Sequence, residues 1–290
     1  MRVDVLLLQN APAAELVERA RRVEAMGFGC VWIADHFVNP YAPEDDWLDA
    51  WTLLGSFAVA TSRVRLGPLV SAPALRNPAL LALQAVTVDH LSDGRLEVGV
   101  GAGGAPLDFE MMGVPHRSPR ERLDRLTETV EILDSLLAAG RVKHDGRYYT
   151  LEARVRPPVQ QPRPPLVVGA LAPGSLRVAA ARADAVSTYP VRAGGRISAG
   201  DVASGDDALA TIRARMEIVD RECERIGRDP ATLRRSLLTF FGVRDALLPP
   251  DEFAEWAEPY RRIGITEFVV YWPANGDEDS LAALGALTGT

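Results

Sequence analysis

Short apolar segments alternate with longer segments of helical period along the whole chain, and few folds are compatible with this rhythm. Eight runs rich in Val, Ile and Leu are predicted as strands, at residues 3–8, 30–34, 64–70, 96–100, 166–169, 185–188, 236–241 and 267–270. These runs are continuously apolar, which is typical of parallel strands covered on both faces. The pattern predicts an α/β protein of the (β/α)8 TIM-barrel type, with a doubly wound open sheet as the alternative.

The segments between the strands carry helix signals, and no linker divides the chain. A helix predicted over 13–26 ends at Gly27, and another opens at Pro78. Residues 140–165 are expected to be irregular, and residues 190–206, rich in Gly, Ser and Ala, are predicted to be a mobile insertion. We therefore expect one domain over residues 1–290.

Composition excludes several classes of function. The net charge is -7 and no basic stripe stands out, which argues against nucleic acid as a partner. The two cysteines have no neighbours at metal-ligand spacing, so neither a disulfide framework nor a metal site is expected. The sequence shows no signal-peptide pattern and no run long and apolar enough to span a membrane, so we expect a cytoplasmic protein with a small-molecule substrate.

Polar and small residues follow several predicted strands, where barrel enzymes carry their chemistry. Asp35 and His36 follow the second strand and could form a proton-transfer pair, although an Asx turn beside a structural histidine is the simpler alternative. Gly101, Ala102 and Gly103 could let a ligand approach the backbone closely, or could form a plain tight turn. The turn after Gly169 and Ala170 opens a helix that could hold a phosphate, although an ordinary turn between a strand and a helix is the simpler alternative.

Four aromatic residues stand in loops that would select a substrate. Tyr41, Trp47, Tyr189 and Trp272 suggest an apolar, aromatic-lined pocket, although simple packing is an alternative, above all for Trp47.

An arginine run opens the helix predicted after strand four. Its basic residues alternate with acids and are typical of a salt-bridged helix face. Arg117 or Arg120 could instead reach a ligand or a neighbouring subunit.

Seven segments together resemble the luciferase-like monooxygenase superfamily, in its coenzyme F420-dependent branch. They are ADHF at 34–37, TSRVRLGPLV at 61–70, RNPA at 76–79, DHLSDGR at 89–95, GVGAG at 99–103, AARAD at 180–184 and GRDP at 227–230. The resemblance implies a barrel that holds a flavin or deazaflavin at the C-terminal ends of its strands. It also implies a dimer, because family members commonly form one.

The resemblance assigns positions to this cofactor. It implies contacts from Asp35 and His36, with His36 as the acid–base group and Asp35 orienting it or touching the ring. A non-proline cis peptide is implied at Leu69-Val70, with Ser71 beside it. Further contacts fall on the two small-residue turns, at Gly101, Ala102, Gly103, Gly169 and Ala170.

Three functions remain open from the sequence. The first is an F420-dependent oxidoreductase that transfers a hydride between the deazaflavin and a C=C, C=N or C=O bond of a small organic substrate. The second is a monooxygenase that uses reduced FMN and oxygen, and the third is a non-catalytic cofactor-binding barrel. Some deazaflavin dehydrogenases carry a glutamate as proton donor where this chain has Gly104, which argues against a sugar-phosphate substrate.

Overall fold

A computed structural model describes residues 1–40, 42–191, 202–239, 247–274 and 276–288. The strands in that part of the chain are β1 Arg2–Leu7, β2 Cys30–Ile33, β3 Arg65–Pro68, β4 Val98–Gly101, β5 Arg141–Asp145, β6 Thr150–Arg154, β7 Leu166–Gly169, β8 Ala185–Thr188, β9 Arg234–Leu238 and β10 Glu267–Tyr271. The helices are α1 Ala13–Ala25, α2 Ala50–Ala60, α3 Pro78–Leu91, α4 Pro106–Met111, α5 Pro119–Ala139, α6 Pro173–Arg182, α7 Gly205–Arg225, α8 Pro250–Arg261 and α9 Glu278–Gly285. None of these helices is long and apolar enough to cross a bilayer.

Eight strands form one parallel sheet in the order β3-β2-β1-β10-β9-β8-β7-β4. Two parallel bridges, Leu66 to Leu96 and Ser71 to Val100, join the edge strands β3 and β4. The sheet therefore closes on itself with the helices outside. The predicted TIM barrel is confirmed, and the alternative of a doubly wound open sheet is excluded.

Side chains of β1, β2, β7, β8, β9 and β10 alternate between two apolar clusters. The larger cluster lies between the strands and the helices; there α1 buries the predicted face of Leu16, Ala20 and Val23. The smaller one fills the barrel interior with Leu6, Cys30, Trp32, Val167, Ala185, Leu238 and Val269. Burial on both sides explains why these strands are uniformly apolar in sequence.

The expectation of irregular structure over 140–165 is wrong for β5 and β6, which pair as an antiparallel hairpin. Their exposed and half-buried residues alternate, so only one side of the hairpin is covered and no apolar run marks it. The predicted mobile insertion at 190–206 falls largely on residues 192–201, which lie outside the described residues. At its end, α7 begins at Gly205.

An ion-pair network closes the N-terminal end of the barrel around Glu97. Its carboxylate is 1% exposed and accepts hydrogen bonds from Arg2 Nη1 at 2.9 Å, Arg65 Nε at 2.7 Å and Arg234 Nη2 at 2.7 Å. Burial alone would raise the pKa of Glu97, but the three guanidinium groups lower it to about 2. A buried acid at this end of a barrel is therefore held by charge pairing and serves stability.

Candidate active site

The C-terminal ends of β2, β3 and β4 bring the predicted site residues to one rim of the barrel. Asp35 and His36 follow β2, and Ser71 follows β3. The Ser71 hydroxyl donates to Asp35, and the Ser71 N–H donates to the Gly99 carbonyl on β4 at 2.9 Å. Three neighbouring strand ends are thus hydrogen-bonded to one another.

Asp35 is fully engaged within this rim. It is 1% exposed, and Arg76 binds both of its oxygens, through Nη2 at 2.8 Å and Nε at 3.2 Å. Burial opposes the charge on Arg76, yet pairing with Asp35 and Asp49 raises the pKa of Arg76. Asp49 in turn caps the first turn of α2. Asp35 therefore holds the rim together as one end of a fixed charge pair.

His36 pairs with a carboxylate that the sequence analysis did not single out. Its Nδ1 lies 2.8 Å from Oδ2 of Asp108, on α4, and Asp108 is 3% exposed. The other oxygen, Oδ1, accepts the backbone N–H of Phe37 at 2.8 Å. The structure thus gives to Asp108 the role of orienting His36.

This pairing determines which ring nitrogen of His36 can react. A carboxylate that accepts two hydrogen bonds favours the proton on Nδ1, which leaves Nε2 as the open position. Nε2 has no hydrogen-bond partner among the described residues, and the side chain is 31% exposed. His36 is therefore arranged as an oriented imidazole that can take or give one proton.

The predicted aromatic residues fall at different places. Trp47 donates from Nε1 to the His36 carbonyl at 3.1 Å, so it lies beside the site. Tyr189 packs on the interior cluster, as do Leu69 and Tyr271, and these three form an apolar floor below the rim. Tyr41 lies outside the described residues.

Trp272 does not lie on this floor. It is 8% exposed and packs in the outer cluster, with the Arg19 guanidinium 5.5 Å from its ring centroid. The expected pocket role for Trp272 needs correction because successive strand residues point to opposite faces. The inward position belongs to its neighbour Tyr271.

The peptide Leu69-Val70 is cis, as the resemblance implied. The Val70 side chain packs against glycines on β4 and β7: an added Cβ would lie 3.3 Å from it at Gly99, 2.5 Å at Gly101 and 3.1 Å at Gly169. Gly103 has a φ of +67°, which also favours glycine. The small residues at these strand ends make room for the end of β3.

Replacing Gly101 with alanine is expected to displace Val70 and to destabilise the fold by about 1–3 kcal/mol through overpacking. The double variant Gly101→Ala/Val70→Ala should recover most of this loss, because the added Cβ would then meet only the Cβ of residue 70 and the Gly169 carbonyl oxygen, each at the ordinary contact distance of 3.7 Å. Urea unfolding of the single and double variants measures both effects. Equal stability of the two variants would show that Val70 is not the cause.

The predicted phosphate-binding turn offers fewer donors than the sequence suggested. Ala170 is 1% exposed, and its N–H already donates to the Ser187 carbonyl at 2.8 Å. The N-cap of α6, Ala172, makes no side-chain cap, and Pro173 has no N–H to offer. Free donors at this turn therefore begin inside the first turn of α6.

The motif segment at residues 89–95 serves the fold instead of the site. Arg95 donates to the carbonyls of Ala58, Thr61, Val64 and Ser92, at 2.7 to 3.0 Å, and so ties the end of α2 to the start of β3. Asp89 is fully buried and accepts the N–H groups of Val159 and Gln160. These contacts join distant segments of the chain away from the catalytic rim.

Comparison with known proteins identifies a matching protein family and similar curated proteins. The family model described as luciferase-like monooxygenase matches residues 1–262. An F420-dependent glucose-6-phosphate dehydrogenase of Kineococcus radiotolerans is 38% identical over 183 residues, covering 61% of this chain and 52% of that protein. The match therefore spans about half the length of this curated relative.

Solved structures match over nearly the full chain. The coenzyme F420-dependent tetrahydromethanopterin reductase of Methanopyrus kandleri superposes with a TM-score of 0.79 at 19% identity, covering 98% of this chain and 97% of that one. The oxygenating constituent of a 3,6-diketocamphane monooxygenase of Pseudomonas putida, in complex with FMN, gives 0.75 at 14% identity, covering 100% and 97%. At these identities the likeness shows the fold.

Proposed function

The chain belongs to the luciferase-like monooxygenase family, and from this membership we propose that it is an F420-dependent oxidoreductase. The observation that carries the proposal is the His36–Asp108 pair, which presents an open imidazole nitrogen at the barrel rim. F420 appears in the names of the Kineococcus relative and of the Methanopyrus structure, and this supports a deazaflavin as the cofactor.

The residues at the rim fit a planar, partly polar ring. Leu69, Tyr189 and Tyr271 supply an apolar floor, and the turn around Gly103 adds little bulk. Gln9 is fully buried beside the rim, and its Nε2 donates to the Ala34 carbonyl. Its Oε1 has no hydrogen-bond partner within the described part of the chain, so a ring with N–H donors would satisfy it.

Each residue then has a defined task. When bound, F420 supplies or accepts a hydride, and the protein orients the substrate for it. His36 Nε2 delivers or removes the accompanying proton, and Asp108 fixes the ring of His36. Asp35 holds Ser71 and Arg76 in place, which keeps the strand ends together. The substrate is a small organic molecule with a C=C, C=N or C=O bond, and Trp47 and Tyr189 lie at its site.

A monooxygenase that uses FMN is the second candidate, because the FMN complex of the Pseudomonas enzyme shares the fold. Titration of the purified protein with F420 and with FMN separates the two functions. Quenching of F420 fluorescence without FMN binding is the expected result. FMN binding with oxygen uptake supports the second candidate, and binding of neither cofactor contradicts both.

A homodimer is part of this proposal, and its interface lies on α2 and α3, which pack side by side. Neither helix exposes a charged side chain apart from His90, since α2 has none and Asp89 of α3 is fully buried. Four large apolar side chains are nevertheless exposed on them: Val59 at 67%, Leu80 at 50%, Leu83 at 52% and Leu91 at 47%. Such an uncharged face can pair with its own copy without opposing like charges.

Leu83→Glu is expected to convert the dimer to a monomer, because it places two carboxylates in an apolar contact. Light scattering coupled to size-exclusion chromatography gives the mass. Ile226→Glu, at an apolar residue 39% exposed at the end of α7, is the matched control and should stay dimeric. If the Leu83→Glu protein keeps the mass of a dimer, the interface lies elsewhere. A monomeric wild type would contradict the proposed dimer.

A cytoplasmic location stays a prediction. It is supported by the cysteines, since Cys30 and Cys223 are both free and buried. Secreted proteins more often join such residues in disulfides.

A further inference from the structure

A group of exposed apolar side chains lies beside His36 at the C-terminal rim of the barrel. We call this group the apolar mouth; its members are Phe37 at 48% exposed, Leu48 at 37%, Met111 at 49% and Met112 at 39%. Large apolar side chains are costly to leave in water, and several of them close together usually mark a contact surface.

Hydrogen bonds from the loops of the rim hold the apolar mouth next to the imidazole. The Phe37 N–H donates to Asp108 Oδ1 at 2.8 Å, and the other oxygen of the same carboxylate pairs with His36. Leu48 follows Trp47, whose Nε1 donates to the His36 carbonyl at 3.1 Å. Both loop residues of the mouth therefore share the rim with the proposed proton-transfer group.

The two methionines of the mouth reach the same place from α4. They stand three and four positions after Asp108, so they lie on its side of the helix, and the Met112 N–H donates to the Asp108 carbonyl at 3.1 Å. Helical side chains lean towards the N-terminal end of their helix, which directs both thioethers back to the turn that carries Asp108. Glu110, the exposed acid of α4, stands two positions from Asp108 and therefore on the other side.

The polar groups of this rim are engaged with one another. Arg76 binds two carboxylates, those of Asp35 and Asp49. Ser71 donates to Asp35 and accepts the indole N–H of Trp51 at 2.9 Å. What this part of the rim offers a substrate is therefore the open imidazole nitrogen and the apolar surface beside it.

Two arginines at the start of α5 are paired within their own helix. Arg117 pairs with Glu121 at 3.5 Å and Arg120 with Asp124 at 3.1 Å, as expected for a salt-bridged helix face. The Arg117 guanidinium also covers the ring of Phe109, 5.8 Å from its centroid, on the buried side of α4. These charges are compensated within α5, and they add no net positive charge to the mouth.

We propose that the apolar mouth binds the apolar part of the substrate, an alkyl or aryl group attached to the reacting double bond, and that Met111 and Met112 select it. The double bond then faces the His36 nitrogen, and the apolar group leaves the barrel across the methionines. Thioethers are flexible and polarisable, so they adapt to groups of different shape. Reduction of such a substrate rests on the proposed function, whereas the affinity of the mouth for an apolar group does not.

The first experiment records the methyl signals of protein labelled with [methyl-¹³C]methionine, with acetone or 2-octanone as the probe, both without cofactor and with F420. The chain has only five methionines, and the Met111→Leu and Met112→Leu spectra identify the two signals in question. We expect 2-octanone to shift both and to leave the signal of Met216, which is 2% exposed on α7, in place. Acetone has the same carbonyl without the chain and should shift neither.

The second experiment measures kcat/KM for oxidation of reduced F420 by methyl ketones of increasing chain length. In the wild type each added methylene is expected to raise kcat/KM by about two- to fourfold. Met111→Gln/Met112→Gln should flatten this dependence, and Met111→Leu/Met112→Leu, which keeps an apolar surface, should retain it. Ile226→Gln is the matched control, because Ile226 is 39% exposed at the end of α7, and it should retain the dependence as well.

The outcomes separate this inference from the proposed function. Absence of methionine shifts with 2-octanone in both states, or equal shifts with both ketones, overturns the apolar mouth. An unchanged chain-length dependence in the glutamine variant overturns the role of the two methionines. Loss of dimer mass in that variant would assign the face to a second copy and also overturn the proposal. Methionine shifts without turnover of any ketone would support the mouth and contradict the proposed reaction.

Discussion

Replacing His36 with alanine is expected to lower kcat by roughly 10²–10⁴-fold, the usual contribution of a positioned acid or base. The loss should appear in kcat and much less in cofactor affinity, because His36 transfers a proton but forms only one edge of the cofactor site. Stopped-flow oxidation of reduced F420, with a substrate that the wild type turns over, measures kcat. Fluorescence titration measures the affinity for F420.

Asp108→Asn separates the task of the carboxylate from that of the imidazole. An asparagine can still contact Nδ1 but no longer favours a single ring tautomer, so we expect a loss on the order of 10–100-fold, as for other carboxylates that orient a histidine. The pH–rate profile should change with it. Glu110→Gln is the matched control, because Glu110 is exposed on the same helix.

Two outcomes would contradict these roles. Unchanged turnover in His36→Ala removes His36 from proton transfer. A loss in Asp108→Asn that is matched by Glu110→Gln would reflect disturbance of α4 and not the orientation of His36.

Glu97→Gln is expected to destabilise the protein by about 3–5 kcal/mol, because it leaves three guanidinium groups around a neutral side chain. Catalysis should survive at low temperature, since Glu97 lies at the opposite end of the barrel from His36. The urea midpoint measures the stability. Glu131→Gln, which breaks an exposed pair with Arg182 at 3.4 Å, is the control and should shift it little.

The same residue predicts a pH dependence. The pKa of Glu97 is lowered in the folded state from 4.5 to about 2. Its stabilising contribution is therefore complete above pH 4.5 and is lost as the pH falls towards 2. The wild type should lose stability over this range more steeply than Glu97→Gln. Equal urea midpoints for the wild type and Glu97→Gln, or a parallel loss of stability of the two proteins in acid, would show that the network makes no net contribution to the free energy of unfolding.

The barrel was predictable because burial on both faces leaves a direct trace in sequence. Runs such as CVWI in β2 are apolar at every position. A strand with one face exposed would instead alternate between apolar and polar residues. The hairpin of β5 and β6 leaves no such trace, since it exposes one face. Helix α4 is six residues long, too short for a helical period to be visible.

The candidate site was predictable only in part for a related reason. The strand-end position located Asp35 and His36, and the family resemblance located Ser71, but the partner of His36 is 72 residues away in sequence. An acid at position 108 has no local feature that marks it as buried. Likewise, Arg95 contacts α2, and Asp89 contacts residues 159–160. Because these contacts join remote segments, the motif at 89–95 could be recognised in the sequence, but its structural role could not.

The most direct test of a deazaflavin held against His36 is the ¹⁵N NMR spectrum of the histidine side chains with and without F420. The chain has only four histidines, and the His36→Ala spectrum identifies the signal in question. We predict that F420 shifts the Nε2 resonance of His36 and leaves those of His90 and His144 in place. Binding of F420 without any change at His36 would contradict the proposed site.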